Sequence, residues 1–140
     1  MHWTLEVIRL NQVEYTGFGS IDTLTQILYE NQFKKIFLVH GKKSYTLSGA
    51  KNKLDYLLKD NQVDSFCDFS NNPKIQDVCT GIKKFKSDDY DLIVSIGGGS
   101  VLDMAKLINI VAPQLDSPEK YIRKEKQITH KGIPSIAVPT

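Results

Sequence analysis

The apolar run Asp91-Leu92-Ile93-Val94-Ser95-Ile96 leads without a break into Gly97-Gly98-Gly99-Ser100 and then into a helix-period segment from Val101 to Ala112. Few arrangements accept such a passage. A strand that turns at once into a helix sets the helix's unpaired N–H groups, and the positive end of its dipole, at the carboxyl edge of a sheet. That is an anion site. Glycine suits it because any Cβ would hold a phosphate away from the backbone amides, and because such turns often need positive φ. A tight turn without ligand is the plain alternative, but three consecutive glycines cost conformational entropy that a plain turn does not require. We therefore read Gly97, Gly98 and Gly99 as a phosphate cradle. Ser100 either caps the helix or donates its hydroxyl to a phosphate oxygen. The passage is not the usual dinucleotide fingerprint, because Leu102 stands where its third glycine would be; nor is it a P-loop, since no Gly-Lys-Ser/Thr follows.

The rest of the chain fits a sheet built around that passage. Runs at Lys35–His40, Val63–Phe69, Asp91–Ile96 and Pro134–Val138 are rich in Val, Ile and Phe and read as short strands. Between them Leu24, Ile27 and Leu28, then Leu54, Leu57 and Leu58, then Val78, Ile82 and Phe85 recur at helical spacing. This alternation predicts right-handed βαβ units, hence an α/β fold with an open parallel sheet and helices on both faces. Gly19-Ser20 precedes the first helix, Ser48 is placed to cap the second, and Asn71-Asn72-Pro73 stops the strand at Phe69 and opens the third helix with a proline. Residues Thr4 to Leu10 and Gln12 to Thr16 alternate around Asn11 as a two-stranded ribbon at the sheet's edge. Pro113 to Lys131 is polar, a loop with one short helix.

Length and charge narrow the function. With 140 residues, 41% of them apolar, the chain buries one core, and we expect one domain over residues 1–140. Eighteen basic and sixteen acidic side chains are dispersed, for a net charge of +2, which does not point to nucleic acid or an anionic membrane. Nothing approaches the roughly 20 apolar residues of a membrane span, and Met1-His2-Trp3-Thr4-Leu5-Glu6 has no signal-peptide character, so a cytoplasmic protein is expected. Cys67 and Cys79 form no CxxC and read as reduced, buried residues.

Gly97-Gly98-Gly99-Ser100-x-x-Asp103-x-Ala105-Lys106 after Asp91-x-Ile93-Val94 resembles the GGGSxxDxAK signature of the iron-containing (group III) alcohol dehydrogenases. Asn72-Pro73, and Ile133-Pro134-x-Ile136-x-Val138-Pro139-Thr140, are similar to further segments of that family in order and spacing. The resemblance implies the Rossmann-like N-terminal domain also found in dehydroquinate synthase. It implies an enzyme that transfers hydride between NAD(P)H and a small alcohol or aldehyde, and a homodimer or larger homo-oligomer at full length. By motif match Gly98, Gly99 and Ser100 hold the cofactor pyrophosphate, with Asn72 and Thr140 on the adenosine side. The family's Fe2+ or Zn2+ is held by an Asp and three His of a helical second domain, expected beyond Thr140. His2, His40 and His130 match none of these ligands, and no catalytic residue is assigned in this chain, which is expected to be inactive by itself. Phe37 to Ser44, Ser48-Gly49-Ala50 and Met104 to Asn109 also resemble the phosphonoacetaldehyde reductase branch. Dehydroquinate synthase-like and glycerol-phosphate dehydrogenase-like enzymes, or a self-contained nucleotide-binding module, are the alternatives.

Two details bear on the cofactor. Where NAD-preferring members of the family place an acid, this chain has Gly41-Lys42-Lys43-Ser44. A carboxylate there would bind the ribose 2′-hydroxyl and repel a 2′-phosphate, whereas Gly41, Lys42, Lys43 and Ser44 offer space, charge and donors, which suits NADP(H). The alternative is that the two lysines are merely solvated. On the helix after the glycine turn, Asp103 and Lys106 form either a surface ion pair or a unit in which Lys106 holds Asp103 toward the reacting end of the cofactor.

Overall fold

A computed structural model of the chain describes residues 5–8, 13–15 and 20–140. Its elements run β1 (Leu5–Ile8), β2 (Val13–Tyr15), α1 (Thr23–Asn31), β3 (Lys35–His40), α2 (Ser44–Leu47), α3 (Ala50–Leu57), β4 (Gln62–Phe66), α4 (Ile75–Phe85), β5 (Leu92–Gly97), α5 (Gly99–Val111), α6 (Pro118–Ile122) and β6 (Ser135–Pro139). They form a six-stranded sheet in the order β2-β1-β6-β5-β3-β4. Strands β6, β5, β3 and β4 are parallel. The β1–β2 ribbon joins antiparallel through β6, at the expected edge.

Alternation along β3 explains the two-sided core. Ile36 and Leu38 point to one face and pack with Leu24 of α1, Tyr45 of α2 and Leu54 of α3. Phe37 and Val39 point to the other and pack with Val78 and Ile82 of α4 and Met104 and Ile108 of α5. With helices on both faces, every residue of β5 is buried. That double cover is why its sequence is continuously apolar rather than alternating.

Local punctuation differs from expectation in three places. The strand expected to reach Phe69 ends at Phe66. The Phe69 N–H donates to the Cys67 carbonyl at 2.9 Å, turning the chain off the sheet. Phe69 is buried all the same, its ring centroid 5.4 Å from that of Phe66, so its apolar character reports packing from a loop and not strand pairing. Pro73 does not open α4. Lys74 is the N-cap, and its backbone N–H donates to Asp77 Oδ2 at 2.9 Å. Ser48 closes α2, and Gly49, at φ 80°, is the N-cap of α3; the Ser48 hydroxyl accepts the Ala50 N–H at a long 3.4 Å. Ser20 opens a 3-10 turn ahead of α1, while Gly19 lies outside the described residues. Cys67 and Cys79 are half-buried free thiols rather than fully buried ones.

The polar stretch after α5 contains the expected short helix, α6, and is organised by Gln114. That side chain is 6% exposed. Its Nε2 donates to the carbonyls of Ile110 and His130 at 2.7 and 2.8 Å, and its Oε1 accepts the N–H groups of Thr129 and His130 at 3.0 and 3.1 Å. Among the described residues, no helix is long and apolar enough to cross a membrane.

Candidate functional site

Strands β3 and β5 are neighbours, while β4, between them in sequence, lies on the far side of β3. The chain leaving β3 and the chain leaving β5 therefore run to helices on opposite faces of the sheet, and the carboxyl ends of β3 and β5 form the switch point where open α/β sheets take their ligands. His40 pairs with Ile96, and Gly97 with Pro139. Gly41, the glycine turn and Thr140 thus leave three adjacent strands at one level, and the Thr140 N–H donates to the Gly97 carbonyl at 3.0 Å.

The three glycines are not equivalent. Gly97 has φ 152°, and a Cβ there would lie 2.8 Å from Val101 Cγ2, so backbone and packing both require glycine. Gly98 has φ −82° and ψ −173°, which any residue can adopt, and α5 begins at Gly99. The expectation that the turn needs positive φ therefore holds at Gly97 and not at the other two. At Gly98 and Gly99 a Cβ would meet nothing within 4 Å. Neither conformation nor packing asks for glycine there, and the space beside both is open to a group approaching the backbone from outside. The Val101 and Leu102 N–H groups both reach the Gly98 carbonyl at 3.1 Å. The N–H groups of Gly99 and Ser100, ahead of them, open the helix. Ser100 does not cap α5. Gly98 holds that position without a side-chain bond.

The loop after β3 faces this turn. A Cβ on Gly41 would meet Ser44 Oγ at 2.7 Å and Val101 Cγ2 at 3.7 Å, so Val101 packs beneath both glycine positions. Lys42, Lys43 and Ser44 are exposed. Before them, His40 Nδ1 lies 2.8 Å from the Gly41 carbonyl, and its ring stacks on Tyr45 with centroids 3.9 Å apart. Burial lowers the His40 pKa from 6.5 and pushes the Tyr45 hydroxyl up to about 12. Lys42 Nζ lies 3.8 Å from Asp68 Oδ1, in the loop after β4. Asp68 escaped the sequence reading, since nothing local to it signals a partner across a βαβ crossover.

Other expected residues are less engaged. Asn72 is exposed in the loop leaving β4, where its carbonyl accepts the Ser70 hydroxyl at 2.9 Å. Among the described residues no hydrogen bond links Asn72 to the glycine turn. Asp103 and Lys106 are both exposed and make no ion pair with each other, so neither the surface pair nor the anchored carboxylate is present. Their flexible side chains, free in water, gain little from such a contact. No group of three or more His, Cys, Asp or Glu among the described residues is placed to hold a metal ion.

A family model described as iron-containing alcohol dehydrogenase matches residues 12–140. The chain belongs to that family. Among its relatives in the family, a long-chain primary alcohol dehydrogenase of Thermoanaerobacter ethanolicus is 26% identical over 136 residues, covering 94% of this chain and 34% of the relative. An NADH-dependent butanol dehydrogenase A of Clostridium acetobutylicum is 30% identical over 97 residues, covering 67% and 24%. The chain thus spans about a quarter to a third of these relatives' length. The sulfoacetaldehyde reductase of Bifidobacterium kashiwanohense, solved with NAD+, superposes with a TM-score of 0.73 at 25% identity over 85% of this chain and 31% of that one. The butanol dehydrogenase of Thermotoga maritima, at 21% identity, shares the fold with a TM-score of 0.76 over 85% and 30%. The Rossmann-like α/β architecture expected from the sequence is the one found.

Proposed function

We propose that this chain is the cofactor-binding portion of a metal-dependent alcohol dehydrogenase or aldehyde reductase. The observation that carries the reading is the bare backbone at Gly98 and Gly99, set at the carboxyl edge of the sheet beside Gly41 and Thr140. A pyrophosphate fits there, because the N–H groups of Gly99 and Ser100 and the Ser100 hydroxyl would donate to its oxygens at the positive end of α5. Gly41, Lys42 and Ser44 would take the adenosine ribose and its 2′-phosphate, Asn72 and Thr140 the adenine side, and Asp103 would border the reacting end. The bound cofactor, NADP(H) on this reading, supplies or accepts the hydride. The NADH-dependent and NAD+-bound relatives favour NAD(H) instead, so the lysines at 42 and 43 are the point at issue.

Among the described residues no group of His, Cys, Asp or Glu is placed to hold a catalytic metal. Its ligands would lie on a helical domain outside these 140 residues, in a cytoplasmic enzyme that forms a homodimer or larger homo-oligomer. The substrate would be a small alcohol or aldehyde, with phosphonoacetaldehyde as one candidate. Turnover assays of the complete protein, with and without iron or zinc, test the reading. Metal-dependent reduction of small aldehydes by NADPH is the expected outcome, with no alcohol oxidation by the 140-residue chain alone. Turnover by that chain with any primary alcohol and added metal would overturn it.

A further inference from the structure

Among the described residues, Asp68 is the acidic side chain found in an ion pair with the proposed phosphate-binding loop. Strand β4 is the outer neighbour of β3, with Val39 opposite Phe66, so the loops leaving these strands lie side by side at the cofactor edge. The glycine turn borders the β3 loop on its inner side, and Asp68 borders it on the outer side. Asp68 Oδ1 is 3.8 Å from Lys42 Nζ, and both side chains are well exposed. A pair in that setting is weak and easily exchanged. A phosphate dianion offers Lys42 more charge and more acceptor oxygens than a carboxylate does. Binding a 2′-phosphate would therefore exchange one partner of Lys42 for another, and it would leave a carboxylate beside a dianion.

We propose that Asp68 is a cofactor-selecting residue, which holds Lys42 in a competing ion pair and so weakens the protein's grip on the 2′-phosphate of NADP(H). This rests on the reading of Lys42 given above. NAD(H), with a neutral 2′-hydroxyl, gains nothing from a released lysine, so Asp68 narrows the preference between the two cofactors without touching the pyrophosphate. The role needs no buried contact, since competition for one ammonium group is enough.

A double-mutant cycle on the complete protein tests this, with NADPH and NADH dissociation constants measured by fluorescence titration at low and at high salt. Asp68→Asn should tighten NADPH about two- to fivefold, the range set by exposed pairs, and leave NADH unchanged. Lys42→Ala should weaken NADPH, and in the Lys42→Ala background Asp68→Asn should tighten NADPH less than it does with Lys42 present, because only the direct carboxylate–phosphate repulsion is then relieved. High salt should shrink the gain. If Lys42→Ala weakens NADPH but Asp68→Asn changes nothing, or helps equally without Lys42, the competing pair is refuted while the phosphate role of Lys42 stands. If Lys42→Ala leaves NADPH binding unaltered, the reading of Lys42 itself fails, and the proposal with it.

Discussion

The backbone N–H of Thr140 donates to the carbonyl of Gly97 at 3.0 Å, tying the end of β6 to the turn at the end of β5. This bond fixes the carboxyl edge of the sheet just where a Cβ on Gly97 would press against Val101, while Gly98 and Gly99 have open space beside them.

The glycines should therefore fail in different ways when substituted. Gly97→Ala is expected to destabilise the fold by about 1–3 kcal/mol, since it forces a Cβ into a backbone region reserved for glycine and against Val101. Gly98→Val should leave the fold intact, because its φ suits a β-branched residue, yet should abolish dinucleotide binding by filling the open space. Urea denaturation and calorimetric titration of the two variants separate these effects. Unchanged cofactor affinity in Gly98→Val would make the turn purely structural.

Cofactor choice should respond to Gly41→Asp. The new side chain displaces only the tip of Ser44, so the fold should tolerate it. Losing a charge-assisted phosphate contact of about 1.5–3 kcal/mol weakens NADP(H) roughly ten- to a hundredfold, and carboxylate repulsion adds to the loss. NAD(H) should hold or improve through a bond to its 2′-hydroxyl. The check is kcat/KM with both cofactors at one salt concentration, and a parent protein that already prefers NAD(H) would contradict the loop assignment.

Stability should fall with acidification in two stages. Burial depresses the pKa of His40, so the unfolded chain binds the proton more readily than the folded one. That contribution is complete above the ordinary 6.5 and is lost as pH falls through the lower folded value. Asp91 is depressed because its carboxylate accepts the backbone N–H groups of Lys35 and Lys34, at 2.9 and 2.8 Å, and Asp88 because Lys35 donates to it. Their contributions are present above the ordinary 3.8 and are lost as pH drops through the folded values. Urea midpoints measured across this range should show both branches. His40→Phe should flatten the upper one and Asp91→Asn the lower.

The sheet, its two-sided cover and the glycine turn were legible because buried parallel strands such as Leu92–Ile96 are continuously apolar and because three glycines before a helix have few structural uses. Boundaries were less so. Phe69 reads as strand because burial, not pairing, sets its chemistry, and Pro73 suggests a helix start that Lys74 and Asp77 supply. Contacts across the sheet were beyond reach. Asp68 beside Lys42, and His40 stacked on Tyr45 below Gly41, depend on which strands are neighbours. The absence of an Asp103–Lys106 pair also follows from side-chain freedom in water, which helical spacing does not reveal.

Asn109 illustrates a contact of that kind with a measurable effect. Its Nδ2 donates to the Ile133 carbonyl at 2.8 Å and its Oδ1 accepts the Ile133 N–H at 2.9 Å, so α5 itself aligns the chain entering β6. Asn109→Leu would leave both backbone groups unpaired. A loss of about 1–3 kcal/mol in denaturant stability is expected, and an unchanged midpoint would show that water replaces both bonds.

The most direct test of the central claim, that a dinucleotide lies across the carboxyl edge between β3 and β5, is amide chemical-shift mapping of the chain during titration with NADPH. The largest shifts are expected at Gly98, Gly99 and Ser100, with further shifts at Gly41, Lys42, Ser44 and Thr140. Saturating NADPH that leaves Gly98, Gly99 and Ser100 unmoved, or that shifts only residues away from that edge, would contradict that claim.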